Sequence, residues 1–244
     1  MEGASLSRRV AVVTGGARRL GREIVLALAR EGYDIFLTYL RSETSAHETA
    51  RGVIEQGGNA HAFRADLRDS GECEAAASAA LGLFGGVDLL VNNAAVFPKQ
   101  TIDDIEAGAS DDVARLNLIA PLVLTRAFAE SLSARGGSVV NVGSLGGTIF
   151  YQKHAGYSLS KAALAHLTRG LARRYAPRIR VNAVAPGIVA LAGDTDAALP
   201  SASRIPLGRH ATADEVVATL LFVADVSRYM TGQTILVDGG QSLL

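Results

Sequence analysis

The stretch "RVAVVTGGARRLGREIVLALAREG", residues 9 to 32, decides the fold. An apolar, β-branched run, "VAVV", passes through "TGGARRLG" (14 to 21) into a run with helical spacing, where Ile24 and Leu28, Val25 and Ala29 share a face. It reads as strand, glycine-bearing turn and helix start, which puts Arg18 and Arg19 at the positive end of a helix dipole. Two cations there cost on the order of 0.3–1 kcal/mol each. A pyrophosphate resting on the helix N-terminus removes that cost and gives each guanidinium a partner. The glycines alone, Gly15, Gly16 and Gly21, do not match G-x-G-x-x-G and are equally consistent with a tight turn that binds nothing.

The same alternation continues along the chain. "YDIFLTYL", "NAHAFRA", "VDLLVNN", "GSVVNVGS", "RIRVNAVAP" and "QTILVDGG" are short apolar or β-branched runs separated by longer amphipathic ones. Strands buried on both faces look like this, and strand–helix alternation implies a doubly wound parallel sheet. The expectation is therefore an α/β Rossmann fold of about seven strands, helices on both faces, as a single domain over residues 1–244. Ligands of such folds lie beyond the carboxyl ends of the strands. The small-residue stretch 187 to 210 follows one of those ends and reads as a candidate lid.

Composition excludes several function classes. Lys+Arg 24 against Asp+Glu 24 leaves no net charge, so no global field recruits nucleic acid or an anionic membrane. The single cysteine, Cys73 in the helix-like "SGECEAAASAALGLF", permits neither an internal disulfide nor a cysteine metal cluster and reads as a packing residue. Arg8 and Arg9 precede an apolar run that Thr14, Gly15 and Gly16 end too early for a signal peptide, and no run is long enough to span a membrane. A soluble, cytoplasmic protein with a small-molecule substrate is expected.

The second strand ends "LTYLRSE". An NAD site needs a carboxylate about 20 residues beyond the glycines to accept from the ribose 2′-hydroxyl, and an NADP site has cations instead. Arg41 and Ser42 stand at that point, and no acid precedes Glu43. Arg41 reads either as the partner of a 2′-phosphate or as a solvated loop residue; with Arg18 and Arg19 beside it, NADP(H) is the expected cofactor.

Tyr157 and Lys161 in "GYSLSKAALAHLTRGLA" are four apart and share a helix face. "NVGS" leaves Ser144 at the carboxyl end of the preceding strand, and Asn117 lies within "ARLNLIAP". With "TGGARRLG", "ADL" at 65–67, "NNAA" at 92–95, "RVNAVAPG" at 180–187 and "MTGQTILVDGG", these elements make the chain resemble the short-chain dehydrogenase/reductases from about residue 8 to the end.

The resemblance implies a catalytic constellation of Asn117, Ser144, Tyr157 and Lys161. Tyr157 gives a proton to the substrate; Lys161 lowers its pKa and holds the nicotinamide ribose. Ser144 hydrogen-bonds the substrate oxygen, and Asn117 supports a water chain to Lys161. It also implies a cofactor path over Gly15, Arg18, Arg19, Leu20 and Gly21, with Arg41 and Ser42 at the 2′-phosphate and Asp66 and Leu67 at the adenine. Asn92, Ala94 and Ala95 then line the ribose and phosphate path, and Pro186, Gly187 and Ile188 flank the nicotinamide. The threonine that many members carry after that Pro-Gly is missing from "PGIVALAG". Members are usually homotetramers, and the apolar ending "QSLL" suits an interface in a tetramer or dimer.

Within the family, Arg19 in place of a glycine, "YLRS", and Phe97 in "NNAAVF" resemble the pteridine reductases, where an arginine meets cofactor phosphate and substrate and a phenylalanine stacks the pterin. Those enzymes commonly carry an aspartate where Ser144 stands, thirteen residues before the tyrosine; serine is what carbonyl reductases use. The expectation is a pteridine-reductase-like enzyme, with a 3-oxoacyl-thioester reductase as the alternative and a silent NADPH-binding regulator as a remote one. His154 reads as an acid/base group or as a polar residue at the pocket rim. His47, His61, His166 and His210 lack ligand spacing, so no metal site is expected.

Overall fold

The computed structural model describes residues 8–105, 111–194 and 199–244. In chain order the elements are β1 (Arg9–Val13), α1 (Arg19–Arg30), β2 (Tyr33–Tyr39), α2 (Glu43–Glu55), β3 (Ala60–Arg64), α3 (Ser70–Phe84) and β4 (Leu89–Asn92). The second half holds α4 (Asp111–Ala114), a π-helical turn (Arg115–Ile119), α5 (Ala120–Arg135), β5 (Ser138–Val142), α6 (Ala155–Tyr175) and β6 (Arg180–Pro186). It ends with β7 (Val189–Ala190), β8 (Ala211–Thr212), α7 (Ala213–Leu221) and β9 (Thr234–Val237).

Seven strands form one sheet in the order β3-β2-β1-β4-β5-β6-β9, and every neighbouring pair is parallel. All seven coincide with the apolar runs of the sequence. Strand residues alternate between two cores. Ala11, Val13, Ile35, Leu37 and Val91 pack with Ile24, Val25 and Leu28 of α1; Val10, Val12, Phe36, Leu90 and Val139 pack with Cys73 of α3 and Leu124 and Phe128 of α5. This two-faced burial is why the strands read as continuous apolar runs. Cys73 is fully buried, with its thiol pushed up to about 11 by burial, so it is a packing residue.

The strand order reverses between β1 and β4, which opens a crevice at their carboxyl ends. One loop clasp sets its shape. Thr14 Oγ1 accepts from the backbone N–H of Asn93 (2.9 Å) and Ala94 (3.0 Å), while Asn93 Nδ2 donates to the carbonyls of Thr14 (2.9 Å) and Gly15 (3.1 Å). On the other side Gly15 N donates to Thr38 Oγ1 and Gly16 N to Thr38 O.

Among the described residues no helix is long and apolar enough to cross a membrane, and no group of His, Cys, Asp and Glu could hold a metal ion. Part of the candidate lid, residues 195–198, lies outside the described residues.

The turn tolerates no side chain at Gly21, where a Cβ would fall on the Gly15 carbonyl oxygen and 2.7 Å from Asn93 Nδ2. Gly21→Ala is expected to cost about 3 kcal/mol or more through overpacking against backbone, read as a lower urea midpoint with unchanged slope.

Candidate active site

A cleft of about 470 Å³ follows the carboxyl ends of β1, β2 and β4. Of the residues expected on the cofactor path, Gly15, Arg18, Arg19, Leu20, Gly21, Arg41, Ser42, Asp66, Leu67, Ala94 and Ala95 line it. Pro186, Gly187 and Ile188 lie outside that lining, at the end of β6, where Gly187 N donates to Val237 O. Asn92 is a correction: it is buried, its Nδ2 donates to Asn141 Oδ1 (2.8 Å), and Asn93 takes its place on the wall. Thr38, Asn93 and Arg68 line the cleft without having been singled out in the sequence.

The start of α1 has the chemistry of an anion site. Arg18 is its N-cap, in extended conformation and with no side-chain cap, and no acid lies in its first turn. By contrast α3 is capped by Asp69 and α7 by the Thr212–Glu215 capping box. Arg19 holds a left-handed φ of 52°, which costs a non-glycine residue roughly 1–2 kcal/mol. Its guanidinium meets Asp194 at 3.1 and 3.4 Å, and Asp194 also accepts from Leu191 N (3.0 Å). Arg19 thus joins the first turn to the segment after β6. Arg41 faces the cleft, and the first acid beyond it, Glu43, turns to His47 (4.0 Å) outside the lining.

Asp66 is expected to wait for an adenine amino group. Both of its oxygens instead meet the Arg68 guanidinium (Nε to Oδ1 2.9 Å), which also reaches Asp112 (2.6 Å) and holds the Asp66 carboxyl below its usual range. A carboxylate has about four acceptor sites, so this grip orients Asp66 and leaves room for a further donor.

The residues expected to be catalytic sit at the end of β5 and the start of α6. Ser144 caps the turn after β5 by accepting from Gly146 N (3.0 Å). Lys161, 3% exposed, sends Nζ to the Val142 carbonyl (2.7 Å) and stands 5.7 Å from the centroid of the Tyr157 ring. Burial pushes the lysine down to about 8. The resemblance gives Lys161 the role of lowering the Tyr157 pKa; in this structure the ammonium is directed at a backbone carbonyl, and burial raises the Tyr157 phenol, partly offset by the Ser144 hydroxyl. Tyr157 is therefore a neutral phenol at neutral pH, with a proton to give.

Asn117 owes its position to the π-helical turn. Its Oδ1 accepts from Val96 N (3.0 Å), and its two N–H groups go to Val96 O (3.1 Å) and Ser160 Oγ (3.1 Å). Ser160 in turn donates to Tyr157 O (2.7 Å). The amide that was expected to support a water chain spends both donors on protein, and ties the loop after β4 to the helix of Tyr157. Phe97, 53% exposed, stacks on His154 (3.7 Å, 10°) and meets Tyr157 edge-on (4.5 Å, 82°). His154 Nδ1 lies 2.7 Å from Pro98 O, which makes it a rim residue locked to this loop.

This arrangement has a family. A family model described as enoyl-(acyl carrier protein) reductase matches residues 15–242. The 3-oxoacyl-[acyl-carrier-protein] reductase FabG of Staphylococcus aureus is 34% identical over 238 residues, 94% of this chain and 96% of the relative. A short-chain dehydrogenase from Burkholderia cenocepacia, solved in complex with NADP, superposes with a TM-score of 0.90 at 34% identity, covering 98% of this chain and 99% of that one. Acetoin dehydrogenase from Salmonella typhimurium gives 0.88 at 28%, covering 97% and 96%. The chain belongs to the short-chain dehydrogenase/reductase family. It is an oxidoreductase of that family acting on a small molecule.

Within this short-chain dehydrogenase/reductase, the buried Lys161 sets a stability test. Its folded pKa of about 8 lies below its ordinary 10.5, so the unfolded chain binds the extra proton between those values and stability rises with pH there. Below about pH 8 the buried ammonium carries its full cost. Lys161→Met, without cofactor, is expected to stabilise the fold by on the order of 1–3 kcal/mol at neutral pH. Denaturant titrations should show that gain shrinking as pH approaches 10.5.

Proposed function

We propose that the chain is an NADPH-dependent carbonyl reductase whose substrate is a 3-oxoacyl thioester. The observation that carries this reading is a pair of uncharged hydroxyl residues, Ser144 and Tyr157, the Tyr157 ring lying against the turn that Ser144 caps and 5.7 Å from the Nζ of the buried Lys161. A ketone oxygen becoming an alkoxide needs hydrogen-bond donors and one transferable proton. Ser144 supplies a donor, and Tyr157, kept protonated by burial, supplies the proton.

The cofactor assignment is supported by the cleft. The uncapped, acid-free start of α1 with Arg18 suits the pyrophosphate, and Arg41 with Ser42 suits the 2′-phosphate. Asp66 and Leu67 would meet the adenine, and Lys161 the ribose beside the nicotinamide. NADPH, when bound, supplies the hydride. The names of the staphylococcal relative and of a Synechocystis 3-oxoacyl-[acyl-carrier-protein] reductase, 33% identical over 241 residues, and the Burkholderia NADP complex, agree with this reading.

The pteridine-reductase reading has less behind it. Phe97 already has one face on His154, Arg19 is engaged by Asp194, and no carboxylate stands at Ser144 to assist protonation of a ring nitrogen. We also infer self-association, the usual family state being a homotetramer, because Ile119, Leu159, Leu243 and Leu244 leave apolar surface exposed.

The test is the decay of NADPH absorbance with acetoacetyl thioester and, in parallel, with dihydrobiopterin. Turnover of the thioester alone is expected, and turnover of the pterin alone would return the assignment to Phe97 and Arg19. Arg41→Glu is expected to raise the KM for NADPH by on the order of tenfold to a hundredfold, since it replaces attraction to the 2′-phosphate with repulsion, and to leave the KM for NADH nearly unchanged. A wild-type preference for NADH contradicts the cofactor assignment.

A further inference from the structure

Arg68 has no role given by its place in the sequence, yet the structure sets it on the wall of the cleft between two carboxylates. Its Nε donates to Asp66 Oδ1 (2.9 Å), with Oδ2 at 3.2 Å, and its Nη2 donates to Asp66 Oδ2 (2.5 Å). Its backbone N–H also donates to Oδ1 (3.1 Å), so main chain and side chain hold the same carboxylate. The far nitrogen, Nη1, donates to Asp112 Oδ2 (2.6 Å) in α4, which runs on into the π-helical turn of Asn117. From the other side, the Asp66 N–H donates to Glu72 Oε2 (2.6 Å) on α3.

A carboxylate has about four acceptor sites. Among the described residues, the donors to Asp66 fill both sites of Oδ1 and one of Oδ2. One site on Oδ2 is left, and its direction is fixed. A carboxylate held through one oxygen can turn about its Cβ–Cγ bond, whereas one held by a planar fork cannot. Attraction of the phosphates is not what Arg68 adds. Its guanidinium faces two carboxylates, so the cluster of Asp66, Arg68 and Asp112 is negative in sum, and the phosphates are left to Arg18 and Arg41.

We propose that Arg68 is a positioning residue that makes the cleft selective for a 6-aminopurine: it fixes the Asp66 carboxylate so that the open Oδ2 site meets the exocyclic amino group and no other donor of the base. This rests on the proposed NADPH site, with its adenine at Asp66 and Leu67. Without the fork, Asp66 still reaches the base but turns to whichever donor the base offers.

The test compares NADPH with reduced nicotinamide hypoxanthine dinucleotide phosphate, which carries a carbonyl oxygen in place of the amino group and a proton on the neighbouring ring nitrogen. A fixed carboxylate then meets an acceptor, while one free to turn can follow the proton. Fluorescence titrations of the full chain give the Kd of each dinucleotide and hence their ratio. The wild type is expected to bind NADPH more tightly by about tenfold or more. Arg68→Met should bring the ratio to about threefold or less. Arg68→Lys keeps the charge but has no fork, and should lower the ratio in the same way. In an Asp66→Ala background neither change at Arg68 should move the ratio.

A wild-type ratio in both Arg68 variants overturns the proposal and leaves the clip a surface ion pair. Equal weakening of both dinucleotides, with the ratio kept, also overturns it and makes Arg68 a source of charge. A ratio that still responds to Arg68 once Asp66 is gone shows the guanidinium itself on the base and likewise overturns it. A wild type that binds NADPH without preferring it overturns the adenine placement, and the proposal with it; a preference that the variants keep overturns the proposal alone.

Discussion

Everything in this site depends on the clasp between Thr14 and Asn93. The first turn leaves β1 and the loop bordering the cleft leaves β4, and these strands are neighbours only because the strand order reverses there. Two bonds from backbone N–H groups to Thr14 Oγ1 and two from Asn93 Nδ2 to the carbonyls of the turn fix the loops to one another. Each contributes about 1 kcal/mol net, but leaving any of these buried groups unpaired costs more than that. The same contact leaves no room for a side chain at Gly21: the Gly15 carbonyl, and behind it the Asn93 amide that it accepts from, occupy the space a Cβ would need.

From that fixed edge the geometry passes along the carboxyl ends of the strands. Val96, four residues beyond β4, is held by both ends of the Asn117 amide, and Asn117 reaches Ser160, whose hydroxyl donates to the Tyr157 carbonyl. The helix of Tyr157 and Lys161 is thereby registered against the loop that borders the cleft. Two features of the site oppose stability. A lysine ammonium is buried with the Val142 carbonyl as its acceptor, and Arg19 holds a backbone conformation that suits glycine. Both are arrangements that the rest of the fold over-determines, as expected where groups are held ready for a ligand.

Much of this was legible in the residues. Parallel strands buried on both faces write continuous apolar runs, so all seven strands could be read, and the cleft fell beyond them as the topology requires. Arg18, Arg19 and Arg41 stood out because each sits where local helix or strand chemistry gives no reason for a cation. What stayed hidden depends on which way a side chain turns. Asn92 and Asn93 are adjacent and identical, and only the structure shows that the last residue of β4 goes to Asn141 while the next one turns to the first loop. Asp66 could be placed at the cleft, but its capture by Arg68 depends on how that side chain turns, and Arg68 is also held by Asp112, 44 residues distant in sequence. Phe97 was read as a free stacking face because nothing local announces that the Gln100–His154 bridge brings an imidazole onto it. Four-residue spacing likewise puts Lys161 on the face of Tyr157 without telling that its ammonium goes to the Val142 carbonyl.

In the function proposed above, Tyr157 is the proton donor at the end of a cofactor cleft built independently of it. The most direct test titrates NADPH into Tyr157→Phe by fluorescence and assays the same preparation for reduction of acetoacetyl thioester. Binding with the wild-type affinity to within about twofold, with turnover reduced by about 10³-fold or more, is the predicted result. Turnover within about tenfold of wild type would contradict the claim and place the proton source elsewhere.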